Sequence, residues 1–587
     1  MSPDPRQPPI EPTPRFPDGP PSFVPPPFEA ARAVGAARGP GEAPPVPPPP
    51  PRWTLPRRGR PVTPGPTPRA FTAALLAAGV ALAVYAWGAA PTVLSGDSAE
   101  LAAAAVRGGV PHPTGYPTFV LLGQVAAKLL PGDAAHRIAL LCAFAGAVSV
   151  ALFALLLAEL GLAWGAVLAG ALFFAGTFTL WWSAIRVEVY APAMALAMLA
   201  LWRVLVARRT VEPRDGLLAA FAIGLAMTGH LAFAPALALA GLALAVRAQR
   251  AGALSIPLVL GAMFMLALGL SPYLYLVFAD KHFTLTNYLH YAVEPAGGQF
   301  GLTPASFDTS AERLRFLLLG AETRPHDFVH HLPTALTNMG VAWARFVAFE
   351  VGPLGVLLAL GGEGALRGRD RGAARLLAAI ALLTPALAAL VVDGALLNVF
   401  MMASTLAVAA LAACGLDALL ARGGTRAPLA VAIALAAIVV PHELRVRADA
   451  RSLGGVRWLH MEQEGPPHIR TFVPQLRKEH AERDRAKLIL AAIPESSFVA
   501  ARWEQVMTMK YLQSVEGVRT DLTLDPWYEP SHAARLERWQ REHKLAKHPV
   551  VMVDPIAGLM VRLVHPELRW LSNGTMLTIE RRAVVTH

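Results

Sequence analysis

The chain has 587 residues, of which 54% are hydrophobic and 16% are charged, and its formal net charge is +11. A soluble protein of this length carries about a quarter charged residues, so the deficit excludes a wholly soluble protein and indicates a membrane protein. The positive charge lies mainly in arginine clusters between apolar segments, where basic residues determine topology, and this argues against nucleic-acid binding. Cys142 and Cys414 both lie in apolar segments, so we expect packed small residues and no disulfide framework or metal site.

The first 69 residues are rich in proline, with residues 47–51 as the longest run. Such a segment has too little apolar content to fold and samples polyproline II. It predicts a disordered cytoplasmic tail, which is either a linker, the simpler interpretation, or a ligand for a partner domain. The first apolar segment begins only near Phe71, so we expect no cleavable signal peptide and an uncleaved signal anchor instead.

Residues 70–441 alternate between apolar segments and arginine clusters, which predicts an all-α bundle of about eleven transmembrane helices. With every cluster on the cytoplasmic side, as the positive-inside rule requires, the predicted spans are 71–90, 138–158, 164–182, 189–206, 216–230, 231–246, 253–278, 343–362, 376–395, 398–420 and 427–441. Residues 117–130 are too short for a full span, and we expect a re-entrant or interfacial helix there.

This orientation places residues 91–137, residues 279–340 and everything after residue 441 outside the cytoplasm. Residues 442–587 predict a soluble α/β domain. Its expected elements are strands at 487–492, 497–501 and 550–553 and a helix at 503–516. The predicted fold class is therefore an all-α polytopic membrane bundle with a C-terminal α/β domain.

The first extracytoplasmic loop contains two carboxylates and a histidine. Asp97 and Glu100 are three residues apart and share one face of a helix, while His112 between two prolines lies in a rigid loop. A carboxylate beside a membrane helix costs free energy and tends to be functional. The alternative is that Asp97 is the N-cap of a helix and Glu100 its capping-box partner.

Three further groups of polar residues lie at predicted extracytoplasmic helix ends: Arg186, Glu188 and Tyr190 in one loop, His230 after a second helix, and Tyr273, Tyr275 and Lys281 at a third. An arginine such as Arg186 at the membrane boundary suits a phosphate. A lone histidine such as His230 is more often packed than functional. An interfacial aromatic belt explains the tyrosines.

In chain order the sequence reads Gly-Asp-Ser-x-Glu, His-Pro-x-Gly-Tyr-Pro, Trp-Ser-x(4)-Glu-Val-Tyr, Gly-His and Tyr-Leu-Tyr-Leu, beginning at residues 96, 112, 182, 229 and 273. This pattern resembles a bacterial multi-pass membrane family that is similar to eukaryotic transmembrane protein O-mannosyltransferases and to the GT-C glycosyltransferase superfamily. The resemblance covers residues 70–420, with a weaker echo at 511–521. The chain departs from the family at Ala184 and Arg186, where Gln and Ala are common, and lacks its Trp-Gly motif after Tyr-Leu-Tyr-Leu. These departures concern the substrate more than the reaction class.

The resemblance implies a GT-C-like fold with Asp97 as the catalytic carboxylate and Glu100 beside it. We expect an inverting glycosyltransferase in the bacterial inner (cell) membrane that moves a sugar from a polyprenyl-phosphate donor to an extracytoplasmic acceptor hydroxyl on a protein or glycan. The residues expected to bind the donor phosphate or substrate are His112, Tyr116, Arg186, Glu188, Tyr190, His230 and Lys281.

No cofactor is required, because a lipid phosphate is a good leaving group, although Asp97 and Glu100 could hold a divalent metal. One alternative function is a transporter or a flippase for lipid-linked glycans, which also places ionisable residues in the membrane. Another is a membrane scaffold whose C-terminal domain binds a partner.

Overall fold

The computed structural model describes residues 65–283, 285–293, 307–318, 332–390, 400–422, 441, 473–526, 550–553, 568–572 and 577–581. The chain divides into two units, residues 1–59 and 60–587, and every described residue belongs to the second. The proline-rich tail and the predicted span 427–441 therefore lie outside the described residues, except for 65–69 and Pro441.

The described part is mostly helical. Its helices are α1 Pro68–Gly88, α2 Asp97–Arg107, α3 Pro117–Leu129, α4 Ala134–Glu159, α5 Trp164–Ala175, α6 Phe178–Ala184, α7 Tyr190–Thr210, α8 Pro213–Met227, α9 Ala234–Arg250, α10 Ile256–Gly269, α11 Leu274–His282, α12 Ser310–Leu318, α13 Leu332–Arg345, α14 Gly352–Arg369, α15 Arg371–Ala389, α16 Met402–Leu420, α17 Ala481–Ala492 and α18 Trp503–Glu516. The 3-10 turns Leu231–Phe233 and Ser271–Tyr273 precede α9 and α11, and the π-helical turn Phe346–Val351 joins α13 to α14.

Among the described residues, eight helical segments are long and apolar enough to cross a membrane. This confirms the prediction of an all-α multi-pass membrane protein. The predicted span 164–182 is divided between α5 and α6, which meet at a 66° bend and form either a broken span or a re-entrant loop. The break falls at Gly176 and Thr177, a glycine and a β-branched residue with low helix propensity. The predicted span 216–230 corresponds to α8, whose 15 residues are fewer than the ~20 that a full span needs.

The helix α4 lies at the centre of one half of the bundle, where it packs against α1, α5 and α7. In the other half α14 packs along α16, and their backbones come close at Gly362 and Gly415. A Cβ atom on Gly362 would lie 2.6 Å from the Gly415 amide nitrogen. Small residues at such crossings let membrane helices approach closely and gain packing energy. In contrast, α10 exposes large apolar side chains such as Ile256 and Phe264, as expected of a helix that faces lipid.

The C-terminal part contains a five-stranded sheet. Its strands are β1 Phe498–Ala501, β2 Thr523–Pro526, β3 Val550–Met552, β4 Leu568–Ser572 and β5 Leu577–Arg581. Their order is β2-β1-β3-β5-β4, with β1 parallel to both neighbours and β5 antiparallel to both of its own. The strand predictions near 498 and 550 and the helix prediction 503–516 are confirmed.

The predicted strand 487–492 is wrong, because these residues form the second half of α17. Ala486 and Leu490 are both buried, and their spacing of four residues is that of one helical face. A short apolar run cannot be assigned to strand or helix by periodicity alone. The error therefore comes from the brevity of the pattern.

Candidate functional site

Asp97 and Glu100 lie on the first turn of α2. The N-cap is Gly96 with φ 61°, and it makes no side-chain capping bond. The capping-box alternative is therefore wrong, because a glycine occupies the cap and the Glu100 side chain bonds His112 instead. One turn apart on a single helix face, the two carboxylates bring their oxygens within 4.8 Å of each other and of a ring nitrogen of His112. We call these three residues the carboxylate cluster.

The Glu100 side chain is 4% exposed and holds His112 at two points. It accepts a hydrogen bond from the His112 amide at 2.9 Å and lies 2.5 Å from Nδ1 of the ring. The Tyr291 hydroxyl donates a third bond to it at 2.7 Å. Burial lowers the pKa of His112, but the carboxylates of Glu100 and Asp97 outweigh this effect and raise it to about 10. The imidazole is therefore a cation paired with Glu100.

Asp97 is the more accessible carboxylate of the cluster. Its side chain is partly exposed, and Oδ1 accepts a hydrogen bond of 2.6 Å from the indole Nε1 of Trp503. Since Glu100 is committed to His112 and Tyr291, Asp97 is the carboxylate that an incoming group can reach.

The loop that carries His112 is fixed by close backbone contact with residues 286–288. Val110 forms a parallel bridge with Asn287, and a Cβ atom on Gly109 would lie 2.6 Å from Oγ1 of Thr286. Only glycine therefore allows the two segments to approach this closely. The amide of Gly109 also donates to the Tyr275 hydroxyl at 3.0 Å, which gives that predicted belt tyrosine a structural role.

Tyr116, Tyr190 and His230 form an aromatic group next to the cluster. The Tyr116 ring meets the His112 ring edge-on at 5.3 Å and stacks on His230 at 5.5 Å, and Tyr190 lies 5.2 Å from His230. Nδ1 of His230 accepts a hydrogen bond from the Ala232 amide, so this nitrogen carries no proton and the ring is neutral. His230 therefore packs between rings and does not supply positive charge to a phosphate.

Arg186 and Glu188 form an ion pair beside this aromatic group. The Arg186 Nη2 atom lies 2.5 Å from Oε1 of Glu188, and the guanidinium carbon lies 4.5 Å from the centre of the Trp182 ring. Burial raises the pKa of Glu188, and Arg186 opposes that shift. Nε of Arg186 is buried and has no hydrogen-bond partner among the described residues. A permanently charged guanidinium with an unused donor is suited to an anion.

The structure places one predicted site residue elsewhere. Lys281 is exposed at the end of α11, and none of the described contacts connects it to the carboxylate cluster. Its neighbour Asp280 is buried and binds Arg313. Lys281 is therefore outside the group that contains the other eight predicted residues.

Sequence reasoning missed Trp503 and Tyr291. Trp503 is 406 positions away from Asp97 in the chain, and a tryptophan that opens a helix carries no signal of that partner. Tyr291 lies after the Tyr-Leu-Tyr-Leu motif, in the region where the family's Trp-Gly motif is missing. The bridge between Val110 and Asn287 brings this segment beside α2.

Two carboxylates and an imidazole are the donor types that a borderline divalent cation such as Zn²⁺ uses. The geometry also allows such a cation, because Asp97, Glu100 and His112 each offer one ligand atom within 4.8 Å of the others. These three residues would hold it, with Nδ1 of His112 bound to the ion in place of Glu100.

The chain is similar to protein O-mannosyltransferases. The N-terminal domain of the protein O-mannosyl-transferase TMEM260 family matches residues 97–253. Protein O-mannosyl-transferase TMEM260 from Mus musculus is 42% identical over 97 residues, which are 16% of this chain and 14% of the mouse protein. The crystal structure of ArnT from Cupriavidus metallidurans bound to undecaprenyl phosphate aligns with 86% of this chain and 97% of its own, with 13% identity and a TM-score of 0.48.

Proposed function

We propose that this chain is a membrane glycosyltransferase that moves a sugar from a polyprenyl-phosphate donor to an acceptor hydroxyl, with inversion at the anomeric carbon. The observation that carries the proposal is the carboxylate cluster on α2, at the start of the segment that matches the O-mannosyltransferase family. The acceptor, a protein or a glycan, approaches on the extracytoplasmic side, where the positive-inside rule puts the cluster.

Asp97 acts as the general base in this mechanism. Its carboxylate takes the proton of the acceptor hydroxyl while the hydroxyl oxygen forms a bond to the anomeric carbon. The bond from that carbon to the donor phosphate breaks on the opposite face, and its electron pair leaves with the polyprenyl phosphate. Glu100 holds the His112 cation beside Asp97, and its two contacts with His112 keep the cluster in place.

Arg186 is the residue that we assign to the donor phosphate. Its Nε is buried without a partner among the described residues, and stacking on Trp182 fixes the plane of the guanidinium. The pair with Glu188 keeps the arginine at the end of α6 when no donor is bound. A phosphate oxygen would complete the hydrogen bonding of the guanidinium and gain the strength of a charge-assisted bond.

The experiment uses purified full-length protein in lipid nanodiscs, with a panel of polyprenyl-phosphate sugars and hydroxyl acceptors. Wild type should transfer sugar, and Asp97→Asn should reduce kcat by about 10²- to 10⁴-fold, the usual contribution of a general base. Asp484→Asn is the matched control, since it makes the same change at an exposed site on α17, and it should retain wild-type kcat.

Retained activity in Asp97→Asn would exclude Asp97 as the base. If wild type turns over no donor but moves lipid-linked sugars across vesicle membranes, the chain is a flippase or transporter and the enzymatic proposal is wrong. Labelling of single cysteines at Ser95 and Gly424 checks the orientation. Only the position at residue 95 should react with an impermeant reagent added outside intact cells.

A further inference from the structure

The first helix of the C-terminal domain after β1, α18, lies directly on the start of α2. Glu504 accepts a hydrogen bond of 3.2 Å from the Gly96 amide through its backbone carbonyl, and the Thr508 hydroxyl donates to the carbonyl of Leu94 at 3.3 Å. The Tyr511 hydroxyl accepts from the Ala135 amide at the start of α4. These bonds fix the helix in position and rotation against the segment that holds Asp97.

The apolar face of α18 supports the same conclusion. Its buried side chains are at most 1% exposed and belong to the same hydrophobic core as α2 and α4: Val506, Met507, Met509, Tyr511 and Leu512. Burial of a large apolar side chain contributes about 1.5–3 kcal/mol. The contact between α18 and the membrane domain is therefore a packed hydrophobic interface and not a single hydrogen bond.

From this docking we propose that Trp503 is a positioning residue for Asp97, so that the C-terminal domain forms part of the catalytic site. The inference rests on the proposed function, and it assigns to the soluble domain a role in the chemistry. Trp503 binds one oxygen of the carboxylate and touches no substrate in this scheme. It acts through the rotamer of Asp97.

Three features fix the direction of the indole N–H. Nε1 lies 2.6 Å from Oδ1 of Asp97. The indole ring meets the Tyr288 ring edge-on at 5.9 Å. Tyr288 is itself 3% exposed and adjoins His112 at 6.4 Å, so it cannot move aside to let the indole turn.

A general base must lie within hydrogen-bond reach of the proton that it removes. An aspartate side chain at the surface of a cleft samples several rotamers, each of which moves its oxygens by more than 1 Å. The bond from Trp503 to Oδ1 selects one rotamer of Asp97, and it leaves Oδ2 as the oxygen that we assign to the acceptor proton. A misplacement of about 1 Å in such a group costs as much as 10²-fold in rate.

Lys510 adds a second contact from the same helix. Its ammonium lies 4.5 Å above the centre of the Tyr291 ring, and Tyr291 donates to Glu100. Both carboxylates of the cluster therefore connect to α18, Asp97 directly and Glu100 through one tyrosine.

The test is a comparison of steady-state kinetics in nanodiscs. Trp503→Phe removes the N–H donor and should lower kcat by roughly 10- to 100-fold, with KM for the lipid donor within about twofold of wild type. Trp164→Phe is the matched control, because Trp164 is 53% exposed at the start of α5, and it should match wild type in both constants.

A second variant separates the hydrogen bond from the shape of the ring. Benzothienylalanine at position 503 replaces the N–H by sulfur and keeps the bicyclic outline, so the interface stays packed. It should lower kcat to the same degree as Trp503→Phe, with an unchanged thermal unfolding midpoint. Wild-type kcat in the benzothienylalanine protein overturns the positioning role while sugar transfer by wild type still stands. Absence of transfer by wild type instead overturns the proposed function, and the role of Trp503 in it.

Discussion

Asp280→Asn should release the segment of residues 286–293 that supports the carboxylate cluster. The Asp280 side chain is fully buried and is the centre of a polar group. Arg313 donates to its two oxygens, with the shortest contact at 2.8 Å from Nη2. Asn287 donates at 3.1 Å, and Nε2 of His290 lies 3.5 Å away.

The substitution keeps the shape of the side chain and removes its charge. The new amide nitrogen can only donate, and it faces a guanidinium that also only donates. Breaking a buried ion pair by removing one partner costs about 3–5 kcal/mol. The two charge-assisted hydrogen bonds that are lost are worth about 1.5–3 kcal/mol each, which agrees with that range. We take about 4 kcal/mol as the loss in local stability.

Hydrogen exchange by mass spectrometry measures this loss where it occurs. The amides of Tyr288, His290 and Tyr291 bond to the carbonyls of Val110 or Asn287, and their protection reports the opening of this segment. At about 1.4 kcal/mol for each tenfold change, exchange should become roughly 10²- to 10³-fold faster. Glu363→Gln is the control, since its partner Arg367 is 62% exposed and such a pair is worth about 0.3–0.5 kcal/mol.

Unchanged exchange in residues 286–293 of Asp280→Asn would refute the claim that the buried pair holds this segment. Equal acceleration in Glu363→Gln would show that the assay responds to loss of charge in general. In the first case the bridge between Val110 and Asn287 would remain as the contact that holds the segment.

Gly362→Ala should lower the free energy of unfolding by about 1–3 kcal/mol, because its Cβ would overlap the α16 backbone. Gly361→Ala, with open space around it, should leave that free energy unchanged or raise it slightly. Unfolding in mixed micelles measures both variants, and equal free energies would contradict the close crossing of α14 and α16. Arg186→Lys should raise KM for the lipid donor about tenfold, since an ammonium group can neither stack on a ring nor form bidentate hydrogen bonds with a phosphate. A KM equal to that of wild type in donor titrations would exclude Arg186 from the phosphate site. Tyr291→Phe should lower the free energy of unfolding by about 1.5–3 kcal/mol, because the hydrogen bond to the charged Glu100 carboxylate is lost. A thermal unfolding midpoint equal to that of wild type would rule out this contribution.

The membrane architecture was predictable because lipid imposes simple constraints on sequence. A span needs a long apolar run, and loops on one side collect arginine, so the apolar segments between Phe71 and Leu420 were located without any knowledge of packing. The bend between α5 and α6 was not predictable in this way. Gly176 and Thr177 have low helix propensity, but the hydropathy pattern gives neither the break at these residues nor its 66° angle.

In the candidate site, too, local sequence predicted some residues, while others depend on tertiary contacts. Asp97, Glu100 and His112 were predictable because three-residue spacing and paired prolines determine local geometry. Lys281 lies apart from these residues, because a position at a helix end does not determine the direction of the side chain. Trp503 was missed because its contact with Asp97 depends on how a separate domain docks, and a sequence carries no local trace of such a contact.

The distance along the chain between Trp503 and Asp97 has a consequence for biogenesis. A ribosome that adds about 5–20 residues each second needs about 20–80 s to synthesise the 406 positions that separate them. During that interval the membrane helices can insert and pack, but Asp97 lacks its indole partner. Under the proposed role of Trp503, a nascent or truncated chain that ends before α18 lacks the contact that positions Asp97, so transfer at the full rate requires synthesis past residue 503.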